Sequence, residues 1–154
     1  MEKTVLCYIQ HEDQFLMLYR NKKKRDFNKG KWIGVGGGIE KGETKEEALL
    51  REVKEETGLL LTKFEFRGTI IFKNNDFEEI MYLFKGLEYQ GELIECDEGE
   101  LHWINIKDIM SLNLWEGDRA FLPLLIETNQ MINMKLIYKN DELIEIKHIS
   151  EVVE

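Results

Sequence analysis

The chain of 154 residues carries 30 acidic and 21 basic side chains, a formal net charge of −9. Hydrophobic residues make up 43% and charged residues 33%, the balance of an ordinary soluble globular protein with a single core over residues 1–154. The acidic excess argues against general binding of nucleic-acid backbone, and two cysteines, Cys7 and Cys96, give neither a disulfide framework nor a zinc spacing.

The first apolar run, Val5 to Ile9, is too short for a signal-peptide core or a membrane span. No membrane contact is expected, and the cytoplasm is the expected location. Residues 4–9 and 15–20 are β-prone and flank the polar turn Gln10–Gln14, a hairpin pattern. The basic stretch from Asn21 to Gly30 reads as a solvated loop. Beside a phosphate site, its lysines and Arg25 would attract a triphosphate. Lys31 to Val35 forms a short strand that leads into the glycine cluster Gly34, Gly36, Gly37 and Gly38. Such glycines let backbone approach a phosphate or a metal closely.

Thr44 and Glu47 make a T-x-x-E capping box, and Gly58 suits a left-handed helix end, so a helix is expected over 45–57. At about 100° per residue, Leu49, Leu50, Val53 and Thr57 share one arc, the buried face. Glu52, Glu55 and Glu56 share an adjacent arc with Ala48, whose small side chain would leave space above the carboxylates. Three carboxylates this close repel one another, and a divalent cation relieves the repulsion; oxygen-only ligands suit Mg²⁺ or Mn²⁺. By spacing, Arg51 is expected to pair with Glu47 or Glu55. A Glu/Lys helix face is more often merely solvated. Here the upstream glycines and the placement of Glu43, Arg51 and Gly58 argue for a site.

Downstream, Leu61–Lys73 and Glu78–Leu87 read as strands around the turn Asn74-Asn75-Asp76. Leu101–Ile104 reads as a short strand, and Ile106–Leu112 as a helical turn. Asp118 is placed to cap a second helix reaching about Thr128, with Leu122, Leu125 and Ile126 at core spacing and Pro123 disturbing its start. Met134–Lys139 and Glu142–His148 form a last hairpin. The elements sum to an α/β or α+β fold, a mixed sheet with two main helices.

Read together, Gly37, Glu43, Arg51-Glu52-Val53, Glu55-Glu56 and Gly58-Leu59 give G-x5-E-x7-R-E-U-x-E-E-x-G-U, with U apolar. This resembles the Nudix box, the signature of hydrolases that split nucleoside diphosphates linked to another group. The resemblance implies an α/β/α sandwich and a catalytic magnesium ion, with manganese as substitute. It extends to the MutT-type branch, which hydrolyses oxidised purine nucleoside triphosphates such as 8-oxo-dGTP to the monophosphate and pyrophosphate. Its further carriers are Asp26 to Trp32, Glu95-Cys96-Asp97-Glu98, and Leu114 to Asp118 with Phe121 to Leu125.

Carried over by position, the resemblance implies metal ligation by the Gly37 carbonyl, Glu52, Glu55 and Glu56. It adds Glu98, on the loop after the fourth or fifth strand, as a further ligand or base. Glu52 is the first choice for general base and Glu98 the second; Arg51 holds a carboxylate, and Glu43 and Gly58 are structural. Phe27, Phe72, Met81 and Trp115 match purine-pocket positions, and Asp118 matches an acidic reader of the purine edge. Ile33 stands where the human member has a base-contacting asparagine, and Gly117 where it has a second acidic reader, so fewer polar base contacts are expected here. Phe72 and Met81 suit a plain core equally well, Trp115 suits a core anchor, Asp118 an N-cap and Glu98 a solvated acidic loop. The expected partner is a small nucleotide rather than a nucleic-acid polymer. Other Nudix substrates (unmodified triphosphates, diadenosine polyphosphates, ADP-ribose) stay open, as do a non-catalytic nucleotide-binding module and an RNA-decapping role. The acidic charge disfavours the last.

Overall fold

A computed structural model of the chain describes residues 1–150. Its strands are β1 (Glu2–His11), β2 (Gln14–Tyr19), β3 (Trp32–Ile33), β4 (Val35–Gly38), β5 (Leu60–Asn74), β6 (Phe77–Gln90), β7 (Glu100–Asn105), β8 (Ile132–Lys139) and β9 (Glu142–His148). Two helices, α1 (Lys45–Thr57) and α2 (Asp118–Glu127), and a 3-10 turn over Ile106–Ser111 complete it.

The main sheet runs β4–β1–β6–β5–β8–β9. Its β1–β6 and β5–β8 pairs are parallel and its other pairs antiparallel. A smaller sheet forms around β2, which pairs with β7, with β3 and with the tip of β1 at Gln10–His11. The mixed sheet with two main helices is therefore the fold.

Strand alternation splits the apolar residues between two cores. From β1, Val5, Cys7 and Ile9 enter the core that also holds Ala48, Leu49 and Val53 of α1. Tyr8, from the other face, joins Phe121, Leu122 and Leu125 of α2. One helix thus covers each face, an α/β/α sandwich. Among the described residues no helix is long and apolar enough to cross a membrane.

Local signals explain α1. The capping box at Thr44 and Glu47 closes in both directions, and Gly58 ends the helix at φ 80°. Two expectations fail on this helix. Ala48 is fully buried in the core, so it opens no space above the carboxylates, and Leu50 is only half-buried. The strand expected over Lys31–Val35 is interrupted at Gly34, and Val35–Gly38 becomes an edge strand on Thr4–Cys7. At α2 the cap is Gly117, with no side-chain cap bond, and Asp118 is the first helical residue. Pro123 lies inside that helix without preventing it.

Candidate active site

The end of β4 and one side of α1 meet at the carboxylates. Arg51 is the hub. Its Nε and Nη2 donate to the two oxygens of Glu43 at 2.7 and 2.8 Å, and Nη2 also donates to the Gly38 carbonyl at 2.9 Å. Its Nη1 donates to Glu52 at 2.8 Å and to Glu55 at 3.3 Å. The expected Glu55 contact is present, but Glu47 is taken by the capping box, and Glu43 is the main partner. Arg51 hydrogen bonding holds the Glu43 carboxyl down at about 2. Gly37 is small for a reason: a methyl group on it would fall on the Glu52 carboxylate. Burial raises the Glu52 carboxyl above its ordinary range, against the pull of Arg51.

Glu56 points inward. It is 8% exposed, and its Oε1 accepts from the Gly36 N–H at 2.6 Å. Burial, reinforced by a hydrogen bond with Glu98, pushes it up to about 9. A hydrogen bond between two carboxyl groups needs a proton, and the deeper burial of Glu56 favours its residence there. Burial works against ionisation of Glu98 too. The Glu56 hydrogen bond and the charges of Arg20 and Lys23 outweigh it, and the carboxyl stays below its ordinary range. Glu98 follows β6, the sixth strand in chain order, not the fourth or fifth.

The donor set fits a hard cation. Glu52, Glu55, Glu56, Glu98 and the Gly37 carbonyl are all oxygen ligands. The proton on Glu56 offsets a crowding of negative charge that a divalent ion would offset better. Among the described residues, no three acidic, His or Cys side chains already stand as a cation cage; Arg51 holds Glu52 and Glu55, while Glu56 and Glu98 face each other.

Beyond Glu56 a cleft opens. Phe27, Ile33, Phe72, Met81, Trp115 and Asp118 all line it, together with Gly37 and Glu56. Glu52, Glu55 and Glu98 stand outside its lining. Phe27 stacks on Trp115, centroids 5.1 Å apart at 18°, and Phe72 meets the Trp115 ring edge-on at 5.6 Å. Phe27 is 55% exposed, whereas Trp115 and Phe72 are each 7% exposed. The Trp115 Nε1–H donates to Asn28 Oδ1 at 2.8 Å, and Lys31 Nζ sits 5.2 Å above its ring. Burial raises the Asp118 carboxyl to about 7, against the pull of Lys31 and Arg119. Phe72 and Met81 combine two roles: they pack on the α2-side core and face the cleft.

Several cleft residues were given no site role by the sequence. Thr4 and Glu79 line it from β1 and β6, with the Thr4 hydroxyl donating to Glu79 at 2.6 Å, and burial raises the Glu79 carboxyl. Arg20, just past the end of β2, and Asn28, in the basic stretch, line it as well. These contacts join residues distant in the chain, so no local pattern marks them.

The NUDIX domain model matches residues 2–125. The chain is 34% identical over 127 residues to the oxidized purine nucleoside triphosphate hydrolase of Danio rerio, covering 81% of each. It is 34% identical over 107 residues to the Mus musculus protein of the same description, covering 68% of this chain and 69% of that one. The crystal structure of a MutT protein from Bacillus halodurans superposes with a TM-score of 0.87 at 25% identity, covering 96% of this chain and 97% of that one.

Proposed function

The chain belongs to the NUDIX family of hydrolases, and from that premise we propose that it hydrolyses oxidised purine nucleoside triphosphates, 8-oxo-dGTP foremost, to the monophosphate and pyrophosphate. Support comes chiefly from the cleft: an aromatic slot with a buried carboxyl leads without a break to Gly37 and Glu56. The relatives named for that activity in zebrafish and mouse point the same way.

The purine base stacks on Trp115, with Phe27, the exposed member of the pair, moving to admit it. Asp118 titrates near neutrality, so its carboxyl both accepts from a ring N–H and donates to a ring carbonyl. The triphosphate then extends toward Gly37 and Glu56. Glu52, Glu55, Glu56, Glu98 and the Gly37 carbonyl would hold Mg²⁺ (or Mn²⁺), which when bound would supply charge stabilisation for the phosphates and acidify water. Glu52, held at 2.8 Å by Arg51, takes the proton from the attacking water. A new P–O bond forms, the α–β anhydride P–O bond breaks, and pyrophosphate leaves. Glu98, whose carboxyl lies below its ordinary range, is the second candidate for that proton.

The test is Mg²⁺-dependent pyrophosphate release from 8-oxo-dGTP and from dGTP at matched sub-saturating concentrations. The expected result is a clear preference for the oxidised base, with Glu52→Gln and Glu56→Gln each lowering kcat by about 10²–10⁴-fold while the fold persists. Equal rates on the two nucleotides would discard the substrate, and wild-type-like turnover in both variants would discard the carboxylate roles. A second reading, hydrolysis of unmodified triphosphates, draws on the apolar Ile33 in the cleft, which cannot read a base edge by hydrogen bonding.

A further inference from the structure

The base slot and the carboxylates are joined by a continuous chain of hydrogen bonds. The Trp115 Nε1–H donates to Asn28 Oδ1 at 2.8 Å, and the Asn28 backbone N–H donates to Asp26 Oδ1 at 3.0 Å. Arg20 grips Asp26 with two donors, Nε at 2.7 Å and Nη2 at 3.0 Å. Its Nη1 donates to Glu98 at 2.9 Å. The central pair is shielded: the Asp26 side chain is 4% exposed and that of Arg20 is 15% exposed. Two-pronged guanidinium–carboxylate pairs fix orientation as well as distance. Arg20 and Asp26 therefore act as one rigid piece, with the tryptophan at one end and Glu98 at the other.

We infer that the Arg20–Asp26 pair is a strut that couples occupancy of the base slot to the placement of Glu98, which makes Asp26 and Asn28 positioning residues for the hydrolysis. The inference rests on the proposed function, because it takes the slot as the base site and Glu98 as part of the phosphate chemistry. Phe27 must move for a base to stack on Trp115. Trp115 is anchored through Asn28, so a shift at the slot passes along the chain to Glu98. The other two side-chain contacts of Arg20 are both on Asp26, so the guanidinium cannot turn without breaking that two-pronged pair. Asn28 reaches Asp26 through its backbone and Trp115 through its side chain. Replacing Asn28 by glycine therefore cuts the link at one point and leaves the Arg20–Asp26–Glu98 end in place.

The test separates the two sites by giving each a ligand that cannot touch the other. 8-Oxo-2′-deoxyguanosine has a base and no phosphate; Mn²⁺ reports on the carboxylates by electron paramagnetic resonance. Linkage requires that each change the other's affinity by the same factor. In the wild-type protein the nucleoside is expected to change Mn²⁺ affinity by about tenfold, within the common range of such coupling. In Asn28→Gly and in Asp26→Ala that factor should fall to about one, with both ligands still binding singly. Asp26→Glu, which keeps the charge, should restore part of it. Unchanged coupling in Asn28→Gly, or wild-type protein that binds both ligands without coupling, would overturn the strut. Wild-type protein that binds neither ligand would overturn the proposed function itself, and the strut with it.

Discussion

Asp118 and Glu56 are both buried carboxyls, yet their surroundings give them different duties. Glu56 has a carboxylate partner to share its proton with; Asp118 has only the distant pull of Lys31 and Arg119. Burial moves Asp118 from 3.8 to about 7. Between those values the folded protein holds a proton that the unfolded chain has released. Its contribution to stability is therefore complete below about pH 3.8, drains away as pH rises to about 7, and is flat above that. Three pH units correspond to about 4 kcal/mol at most. Asp118→Asn removes the drain, so the variant should gain on the wild type between pH 4 and pH 8, as measured by urea unfolding at both values. A constant difference across that range would mean that Asp118 is ionised in the fold.

At the scale of elements, the helix that carries the carboxylates rests on its two caps. Gly58 takes φ 80°, and a methyl group there would meet the Glu92 carbonyl and Ile94 Cγ2 at 2.8 Å. Gly58→Ala should cost about 1–3 kcal/mol in denaturant unfolding; an unshifted midpoint would show that the cap adapts. Helix α1 is legible in the sequence from end to end because its signals are local: a cap, an apolar arc, a glycine stop. The carboxylate set is legible for the same reason, since i, i+3 and i+4 on a helix are neighbours wherever the helix goes. The cleft is legible only through resemblance: Phe27, Phe72 and Trp115 come from a loop, a strand and a second loop. Strand β4 escapes a local reading because its pattern of glycines says turn, and only pairing with Thr4–Cys7 makes it a strand. Asp118 as a cap fails because the preceding Gly117 already starts the turn, which leaves the carboxyl free to face the cleft. Asn28 and Asp26 look like part of a solvated basic loop, and Arg20 like the end of a strand, until the loop is folded against Trp115 and Glu98.

Across the whole molecule, a single arginine ties the sheet to the far end of α2. Arg67 of β5 donates to the carbonyls of Leu124, Leu125, Thr128 and Gln130, the shortest contact being 2.7 Å to Thr128. Its side chain is 3% exposed. The Leu125 carbonyl lies in the last turn of α2 and those of Thr128 and Gln130 just past its end, where helical bonding runs out; the Leu124 carbonyl is shared with the Thr128 N–H. Arg67→Met keeps the bulk and removes the donors, and should lower stability by about 2–5 kcal/mol in equilibrium unfolding. Glu52 and the cleft lie outside this contact, so kcat at low temperature should stay within about twofold of wild type; a large loss there would mean that α2 reaches further into the site than its packing implies.

The place of β1 inside the main sheet, between β4 and β6, also bears on how the chain is made. Its parallel neighbour is β6, paired from Glu2 with Glu79 to Ile9 with Gly86, so half of its backbone bonds wait for a segment synthesised far later. Until then Val5, Cys7 and Ile9 on one side, and Leu6 and Tyr8 on the other, have only the β2 hairpin and the four residues of β4 as strand partners. Pairings of such long reach are slow to close, and an open apolar strand is an invitation to its neighbours on the polysome. A strand that feeds both cores of the finished protein is thus left open to aggregation while the protein is being born.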